Sequence, residues 1–378
     1  MTQKPNTTDE LQQAINEYHA NGLNKAYAAR AIGIPESTFR NRLKRAIEAD
    51  LRPTTTHDLP AGHILKGVST LYDAEGNTKA QWVKTTRDEE LAKQALLVTV
   101  EAMKQDIKRE VKRDSNGHYN SDLMCCYVIT DYHFGQLSWG EETGENWDLE
   151  IAEELLVKWF AAAIDQSPAS DRCILAQLGD FLHADSIMPV TPTSGHTLDA
   201  DSRYAKVVQI VIRVLRRVIN MLLEKHKSVH ILLAEGNHDI SSSIWLRALF
   251  AEKYADEPRV TVDNTHAPYY AYEWGDTSLF FHHGHKRRVK EVSNVFAGMY
   301  REMFGRTKYS YAHMGHMHHV DIKEDHMMIV EQHPTLAARD AHSTRGGYQS
   351  KRGANVIVYH KKFGEVSRIT IRPEMIHG

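Results

Sequence analysis

The spacing of apolar positions changes period several times along the chain. Between Asp9 and Ala20, Leu11, Ile15 and Tyr18 fall close to one helical face, and Asn21-Gly22 closes the run. A second short helix fits Lys25 to Ile32. Gly33 then makes a turn, and Pro35 opens a third helix in its first turn, with Phe39, Leu43 and Ile47 on the predicted buried face. Leu51 to Pro60, with two prolines and three consecutive threonines, reads as a linker. Strand-like alternation follows: His63 to Ser69 and Lys79 to Lys84 flank a hairpin turn at Glu75-Gly76-Asn77. Asp88 to Lys112 returns to a long helical pattern of mixed charge that carries no chemistry and reads as a spacer or oligomerisation arm.

From about Ser121 the pattern is different. Leu123 to Thr130, Cys173 to Leu178, Val229 to Ala234 and Leu279 to Phe281 are short, predominantly apolar runs, the signature of strands covered on both faces. Further strands with alternation are predicted at Ile329 to Glu331, Asn355 to His360 and Val366 to Ile371, and a helix from about Ser202 to Lys225. Between Asp185 and Asp201 lies a long polar stretch with Pro189 and Pro192; a loop of that length inside a compact domain is usually functional, and it reads as a wall of a substrate cleft. The expected organisation is therefore a helical module over 1–50, a connecting region over 51–120 and an α/β domain over 121–378.

With 378 residues the chain can bury a full enzyme core and carry an appended module. Its formal net charge of -3 excludes a generally basic coat for nucleic acid, so any such contact must come from local patches. The three cysteines, Cys125, Cys126 and Cys173, all sit in apolar runs and are expected to be buried free thiols, which fits a reducing compartment and no disulfide framework or zinc-thiolate site. The first residues lack the apolar core of a signal peptide and no stretch reaches the length of a membrane span, so a soluble cytoplasmic protein is expected. Histidine is the outlier: 23 residues, crowded toward the C-terminal third, of the type that most often ligates metals.

Those histidines recur at the ends of the predicted strands. The stations are Asp131-Tyr132-His133, Gly179-Asp180 with His183 three residues on, Gly236-Asn237-His238-Asp239, His283-Gly284 and Gly315-His316-Met317-His318. In a D-x-H or H-x-H spacing the strand period of two turns both side chains the same way, so each pair suits one cation. Asn237 offers a neutral carbonyl ligand and His238 a proton donor beside it. His282 and His285 compete with His283 for a ligand role, and His313 and His319 are expected to pack and hydrogen-bond beside the ligands. Lys286, Arg287 and Arg288 read equally as a phosphate-binding cluster near the metals or as the solvated first turn of a helix.

The ordered set from Asp131 to His318 resembles the calcineurin-like metallophosphoesterase superfamily over essentially the whole chain after residue 120. The resemblance implies a four-layer αββα sandwich with two divalent metals at the strand ends, most readily Mn, with Mg, Fe or Zn also compatible. It further implies that Asp131, His133 and His318 hold one metal, that Asn237, His283 and His316 hold the other, and that Asp180 bridges both. Such a pair would favour in-line displacement at phosphorus, with His238 as proton donor. Asp131-Tyr132-His133-Phe134-Gly135 and Gly179-Asp180-Phe181-Leu182-His183 are similar to stations of the SbcCD-type DNA nucleases, where the extra histidine positions the phosphodiester; His183 takes that role here, or else a supporting hydrogen bond. The capping domain and ATPase-binding region of those nucleases are not recognisable, so no ATPase partner is evident.

The stretch Asn24 to Leu43 resembles small helix-turn-helix domains of the Fis and Pipsqueak types, and its third helix would turn Glu36, Ser37, Arg40, Asn41 and Lys44 outward, with Arg42 and Arg45 at the flanks. The alternative is a three-helix adaptor with a solvated basic face. The combination of the two parts resembles proteins encoded by bacteriophages. The expected function is a binuclear-metal phosphodiester hydrolase, a DNA exo- or endonuclease targeted by its helix-turn-helix, with DNA as partner and a homodimer as one arrangement. A phosphomonoesterase, a small or cyclic-nucleotide phosphodiesterase, and a DNA-binding regulator with a scaffold phosphoesterase domain are the alternatives.

Overall fold

In a computed structural model of the chain, the described residues are 7–20, 24–49, 51, 63–72, 78–87, 94, 97, 100–101, 118–192, 195 and 197–376. They form two compact units, Met1–Leu91 and Ala92–Gly378. No helix among the described residues is long and apolar enough to cross a membrane.

In the first unit, helices α1 (Thr8–Ala20), α2 (Lys25–Ala31) and α3 (Glu36–Glu48) enclose a small core of Ala14, Ile15, Ala28, Ala29, Phe39, Leu43 and Ala46. Local signals set their ends. Thr7 and Glu10 exchange side-chain and backbone bonds (3.0 and 3.3 Å) at the start of α1, and Asn24 Oδ1 accepts from the amides of Ala26 and Tyr27 at the start of α2. Gly33 turns the chain with φ +67°. Two expectations are corrected. Pro35 is the residue before α3, not a member of its first turn, and Ile47 is 59% exposed, because Ala46 takes the buried position and the helix period carries Ile47 past the core. Arg42 also turns inward far enough to pair with Glu10 at 2.5 Å. Strands β1 (His63–Tyr72) and β2 (Thr78–Arg87) pair antiparallel as the hairpin pattern predicts. Their turn, the residues of the Leu51 to Pro60 linker beyond Leu51, and most of Asp88 to Lys112 lie outside the described residues; those described in that last segment, at 94, 97, 100 and 101, are helical.

The second unit is built on two sheets. Strands β3 (Asn120–Ile129), β4 (Ser170–Gln177), β5 (Val229–Leu233) and β6 (Val260–Val262) run parallel. Facing them, β7 (Tyr270–Trp274), β8 (Thr277–His282), β9 (Tyr309–Met314), β10 (Asp321–Glu324) and β11 (Ile329–Gln332) make the other sheet, in the order β10-β11-β9-β8-β7. Finally β12 (Ala354–His360) and β13 (Gly364–Ile371) extend the first sheet to β13-β12-β3-β4-β5-β6, both joining antiparallel.

The apolar runs explain the layering. Along β3, Cys125, Tyr127 and Ile129 enter one core while Met124, Cys126 and Val128 enter another; β4 divides likewise into Cys173 and Leu175 against Ile174 and Ala176. The first core lies under helices α4 (Leu149–Gln166) and α5 (Tyr204–Lys225), whose Leu156, Trp159, Phe160, Val211, Leu215 and Ile219 are fully or almost fully buried. The second core is shared with Tyr270, Leu279 and Phe281 of the opposite sheet, whose far face meets a helix, Val292–Met299, through Phe280, Ala312 and Phe296. The result is the four-layer αββα arrangement. Each such side chain taken fully out of water contributes roughly 1.5–3 kcal/mol, which is why both faces must be apolar. β12 shows the same burial from Ala354 to Tyr359, so the alternation expected there is absent: this strand is flanked on both edges and covered on both faces. The three cysteines are buried free thiols.

Candidate metal centre

Strand register brings the stations together. Ile129 lies opposite Gln177 and Gln177 opposite Leu233, so β3, β4 and β5 end level; His282 lies opposite Met314, so β8 and β9 end level in the other sheet. The loops that follow are tied in the same way. Asp131 N donates to Gly179 O, His133 N to Asp180 O, and Gly315 N to His283 O, at 2.8–3.0 Å. Asp131 and Asp180 therefore meet in the mouth between the sheets, the place where open α/β sheets expose ligand-binding loops.

All seven predicted ligands converge there. Asp131, His133 and His318 offer donor atoms close enough together for one cation, and Asp180, His283 and His316 do so for another. Asn237 Oδ1 lies 3.2 Å from His283 Nε2, beside the second group. The groups adjoin: Asp131 Oδ1 is 3.2 Å from His318 Nε2 and 3.9 Å from His283 Nε2, and Asp180 Oδ2 is 3.1 Å from His283 Nε2. His283 Nδ1 donates to the Leu178 carbonyl at 2.8 Å, which turns Nε2 toward the carboxylates. Of its competitors, His282 stacks on Tyr269 and accepts from Gly284 N, and His285 approaches Glu235 at 3.9 Å; neither joins the cluster.

Backbone strain is confined to this place. Among the described residues, the non-glycine residues with positive φ are Asp131, His133, Asp180, His316 and His318, at 50–77°. Each is a predicted ligand, in a conformation that side-chain-bearing residues adopt only when their surroundings enforce it. The surroundings here are hydrogen bonds. Thr130 Oγ1 and His316 N donate to Asp131 Oδ2, and Thr335 Oγ1 donates to the Asp131 carbonyl, at 2.6–2.8 Å. The Asp239 carboxylate accepts from the amides of Asp180, Phe181, Leu182 and Gly236, while His238 N donates to Asp180 Oδ1. Close approach explains the glycines: a Cβ on Gly236 would sit 2.1 Å from Asp180 Oδ1, and one on Gly315 would sit 1.8 Å from Thr130 Oγ1.

The donor set fits divalent cations. Asp131 Oδ1 is a fully buried carboxylate oxygen without a hydrogen-bond donor, flanked by two imidazole nitrogens. Burial alone would push the Asp131 carboxyl up, but the neighbouring His318 and His283 outweigh it and hold it well below the usual carboxylate range. Burial likewise opposes ionisation of Asp180, and His283 and His238 more than offset it. Burial would lower His283, yet Asp180 and Asp131 raise it to about 10. The cluster thus stabilises positive charge at His283 Nε2. A proton is one form of that charge, and a divalent cation held by the same lone pairs is another; carboxylate, amide oxygen and imidazole without thiolate suit Mn, Fe or Zn.

A cavity of about 270 Å³ opens over the cluster, with His133, Asp180, Asn237, His238, His316 and His318 on its floor. Its walls are a surprise from the sequence: they come from Thr335 to Arg352, including Arg339, Asp340, His342, Tyr348 and Lys351. The expected wall, Asp185 to Asp201, contributes none of its described residues. Asp185 instead accepts from Ser241 N, Ser242 N and Ser242 Oγ at 2.6–2.8 Å and caps the helix Ile240–Lys253, and Asp201 accepts from Leu149 N. A polar loop can satisfy helix ends as readily as it lines a cleft.

His238 lines the cavity and donates Nδ1–H to the His183 carbonyl at 2.9 Å, leaving Nε2 free. His183 itself does not line it. The side chain is buried behind His133, Nδ1 to Nδ1 at 3.3 Å, and burial with the neighbouring His238 lowers it to about 3. The direct phosphodiester contact expected of His183 is thus replaced by a contact with His133. His313 sits deeper, in a buried chain Tyr359–His313–His333 with 2.9 Å links, next to Glu331 held by Arg368. His319 is exposed and donates to Met317 O. Ser37, Arg40, Asn41, Lys44 and Arg45 are exposed on α3 in the other unit, with Arg40 paired to Glu36. Lys286, Arg287 and Arg288 are exposed in the irregular segment ahead of the Val292 helix, outside the cavity and outside any helical first turn.

No protein-family model matches the sequence, and no curated protein matches it. Among solved structures the chain is similar to a Streptococcus pneumoniae protein described as a predicted phosphoesterase (10% identity, TM-score 0.28, covering 67% of this chain and 100% of that one). It is also similar to an archaeal phosphodiesterase (13%, 0.33, 66% and 100%) and to Vps29 of Entamoeba histolytica complexed with zinc (10%, 0.28, 66% and 99%).

Gly315→Ala tests the cradle. The added methyl must displace Thr130 and with it the hold on Asp131, so the folded variant should bind Mn about 10–100-fold more weakly. Equilibrium dialysis with metal analysis, beside circular dichroism to establish folding, reads the outcome; unchanged affinity would show that the Gly315 contact does not shape the site.

Proposed function

We propose that the chain is a binuclear metal-dependent phosphodiester hydrolase acting on DNA, with the three-helix unit as its DNA-targeting module. The observation that carries the hydrolase reading is the pair of adjoining groups that could each hold a cation, among whose members fall, of the described residues, all the non-glycine residues with positive φ. In this reading Asp131, His133 and His318 hold one cation, Asn237, His283 and His316 the other, and Asp180 is shared. Bound divalent cations would supply Lewis-acid polarisation of the phosphoryl group and charge neutralisation.

The protein's own residues supply the rest. His238 holds Nδ1–H on the His183 carbonyl and so presents Nε2 to the cavity, where, as the imidazolium, it gives its Nε2 proton to the departing oxygen and is left as the neutral Nδ1–H ring. His183 is a positioning residue: buried against His133, it fixes the tautomer and ring plane of that ligand. Asp239 and Thr130 keep Asp180 and Asp131 in their strained conformations. DNA as substrate rests on the exposed polar and basic face of α3 and on the motif resemblance to nucleases.

Hydrolysis with Mn should be seen on bis-p-nitrophenyl phosphate and on labelled DNA, and Asp180→Asn should lower both by about a hundredfold or more. Turnover of p-nitrophenyl phosphate alone would favour a monoesterase instead, and an Asp180→Asn variant with full activity would remove the metal mechanism.

His238→Gln separates proton donation from binding. Nitrophenolate leaves without a proton and a deoxyribose alkoxide does not, so the variant should lose about 10²–10⁴-fold on DNA and far less on the nitrophenyl diester. Equal losses in the two steady-state assays would take the proton-donor role from His238.

Deletion of residues 1–50 should leave small-diester hydrolysis intact while weakening DNA binding, with a shallower dependence on salt. Equal DNA affinity of full-length and shortened protein, by anisotropy across a salt series, would assign the three-helix unit to another contact.

A further inference from the structure

A second cavity, of about 400 Å³, lies beside the one over the metal ligands, and the two share Ser350, Lys351 and Arg352 as a common wall. Its charge differs from that of the catalytic floor. It is bordered by Lys351, Arg352, Arg368 and Arg372, with Glu331 as its one carboxylate. That carboxylate is already engaged, since Arg368, which also pairs with Glu365, donates to both its oxygens at 2.5 and 2.7 Å. Arg352 is engaged as well: it donates to the Leu336 carbonyl, pairs with Glu145 and lies over the Trp147 ring. Lys351 and Arg372 remain. Both are exposed, and among the described residues neither forms an ion pair. A cavity whose lining carboxylate is already held by an arginine and whose uncommitted groups are cations attracts anions.

The wall of the first cavity adds a second feature. Tyr348, 60% exposed, and Met317, 53% exposed, stand on the wall of the catalytic cavity. An accessible phenol ring next to a cationic pocket matches a chain that alternates negative phosphates with flat apolar groups. A single phosphate ester has no use for either.

We infer that this second cavity is an anion subsite that receives the phosphate next to the one being cleaved, so that the enzyme takes a single-stranded polynucleotide segment rather than an isolated phosphate ester. Lys351 and Arg372 hold that neighbouring phosphate, and Tyr348 stacks on the base between the two phosphates. The inference rests on the hydrolase reading above, names its substrate class, and assigns the subsite to residues that touch neither metal group.

The test uses the full chain and a Lys351→Gln/Arg372→Gln variant. Binding of a fluorescein-labelled six-residue oligothymidylate is followed by anisotropy in calcium across a salt series, and bis-p-nitrophenyl phosphate hydrolysis is measured with Mn. The variant should bind the oligonucleotide about tenfold more weakly. Its slope of log affinity against log salt should be shallower by about 0.7 for each lost contact. Hydrolysis of the small diester, which has one phosphate, should fall by a smaller factor than oligonucleotide affinity does. Tyr348→Leu should weaken oligonucleotide binding without altering the salt slope. Unchanged oligonucleotide affinity and salt slope in the double variant would overturn the subsite. If wild type hydrolyses no phosphate ester while the binding differences hold, the hydrolase reading fails and the anion subsite stands.

Discussion

Two carboxylates buried between two sheets, with no lysine or arginine paired to either among the described residues, set the terms for everything around them. Asp131 and Asp180 are almost wholly out of water, and among the described residues the groups that pair with their charge are imidazoles. An ionised carboxylate in such a place costs several kcal/mol unless it is compensated. Compensation comes from backbone and hydroxyl donors on one oxygen of each, and on the other side from ring nitrogens that share a cation or a proton. A metal centre is the arrangement in which all those lone pairs are used at once.

That demand explains the loops. To point seven donors at one volume, the chain leaves strands that end level within each sheet and turns sharply, and five of the predicted ligands take positive φ there. Glycines at the contact points let Thr130 and Asp239 reach in and hold the turn. The sheets supply the rigidity: each strand end is fixed by register to its neighbour, and both faces of the central strands are packed. Local strain is borne by the global core, the pattern expected where geometry matters more than stability.

The cavity has a different origin from its floor. The floor belongs to strand ends, where positions are set by hydrogen-bonded ladders, and the walls belong to the segment between β11 and β12, which crosses from one sheet to the other and so passes over the mouth. Loops on rigid scaffolds commonly carry specificity. Lys351 and Arg352 of that segment border both this cavity and the second one, so residues that would select a substrate and residues that would hold metals come from different kinds of backbone.

Much of this was written in the sequence. The apolar runs gave both-face burial of β3, β4, β5 and β8, and the order of aspartates, histidines and glycines after them named the residues that meet, through the family resemblance that this order carries. The three short helices and the hairpin were legible too, from local periodicity and turn residues. Tertiary structure alone decided the rest. His183 and His313 look like their ligand neighbours in sequence, but burial turns one against His133 and the other into a chain with His333 and Tyr359. Ile47 was displaced from the core by Ala46 through helical phase, and the Asp185 loop was drawn to cap a helix rather than to line a cleft. The segment Thr335 to Arg352 carries no periodicity to mark it, and it became the wall because of where its two ends are anchored. Spacing along the chain fixes what is local; which loop crosses which strand end depends on contacts between residues far apart in sequence, and those exist only once the sheets have packed.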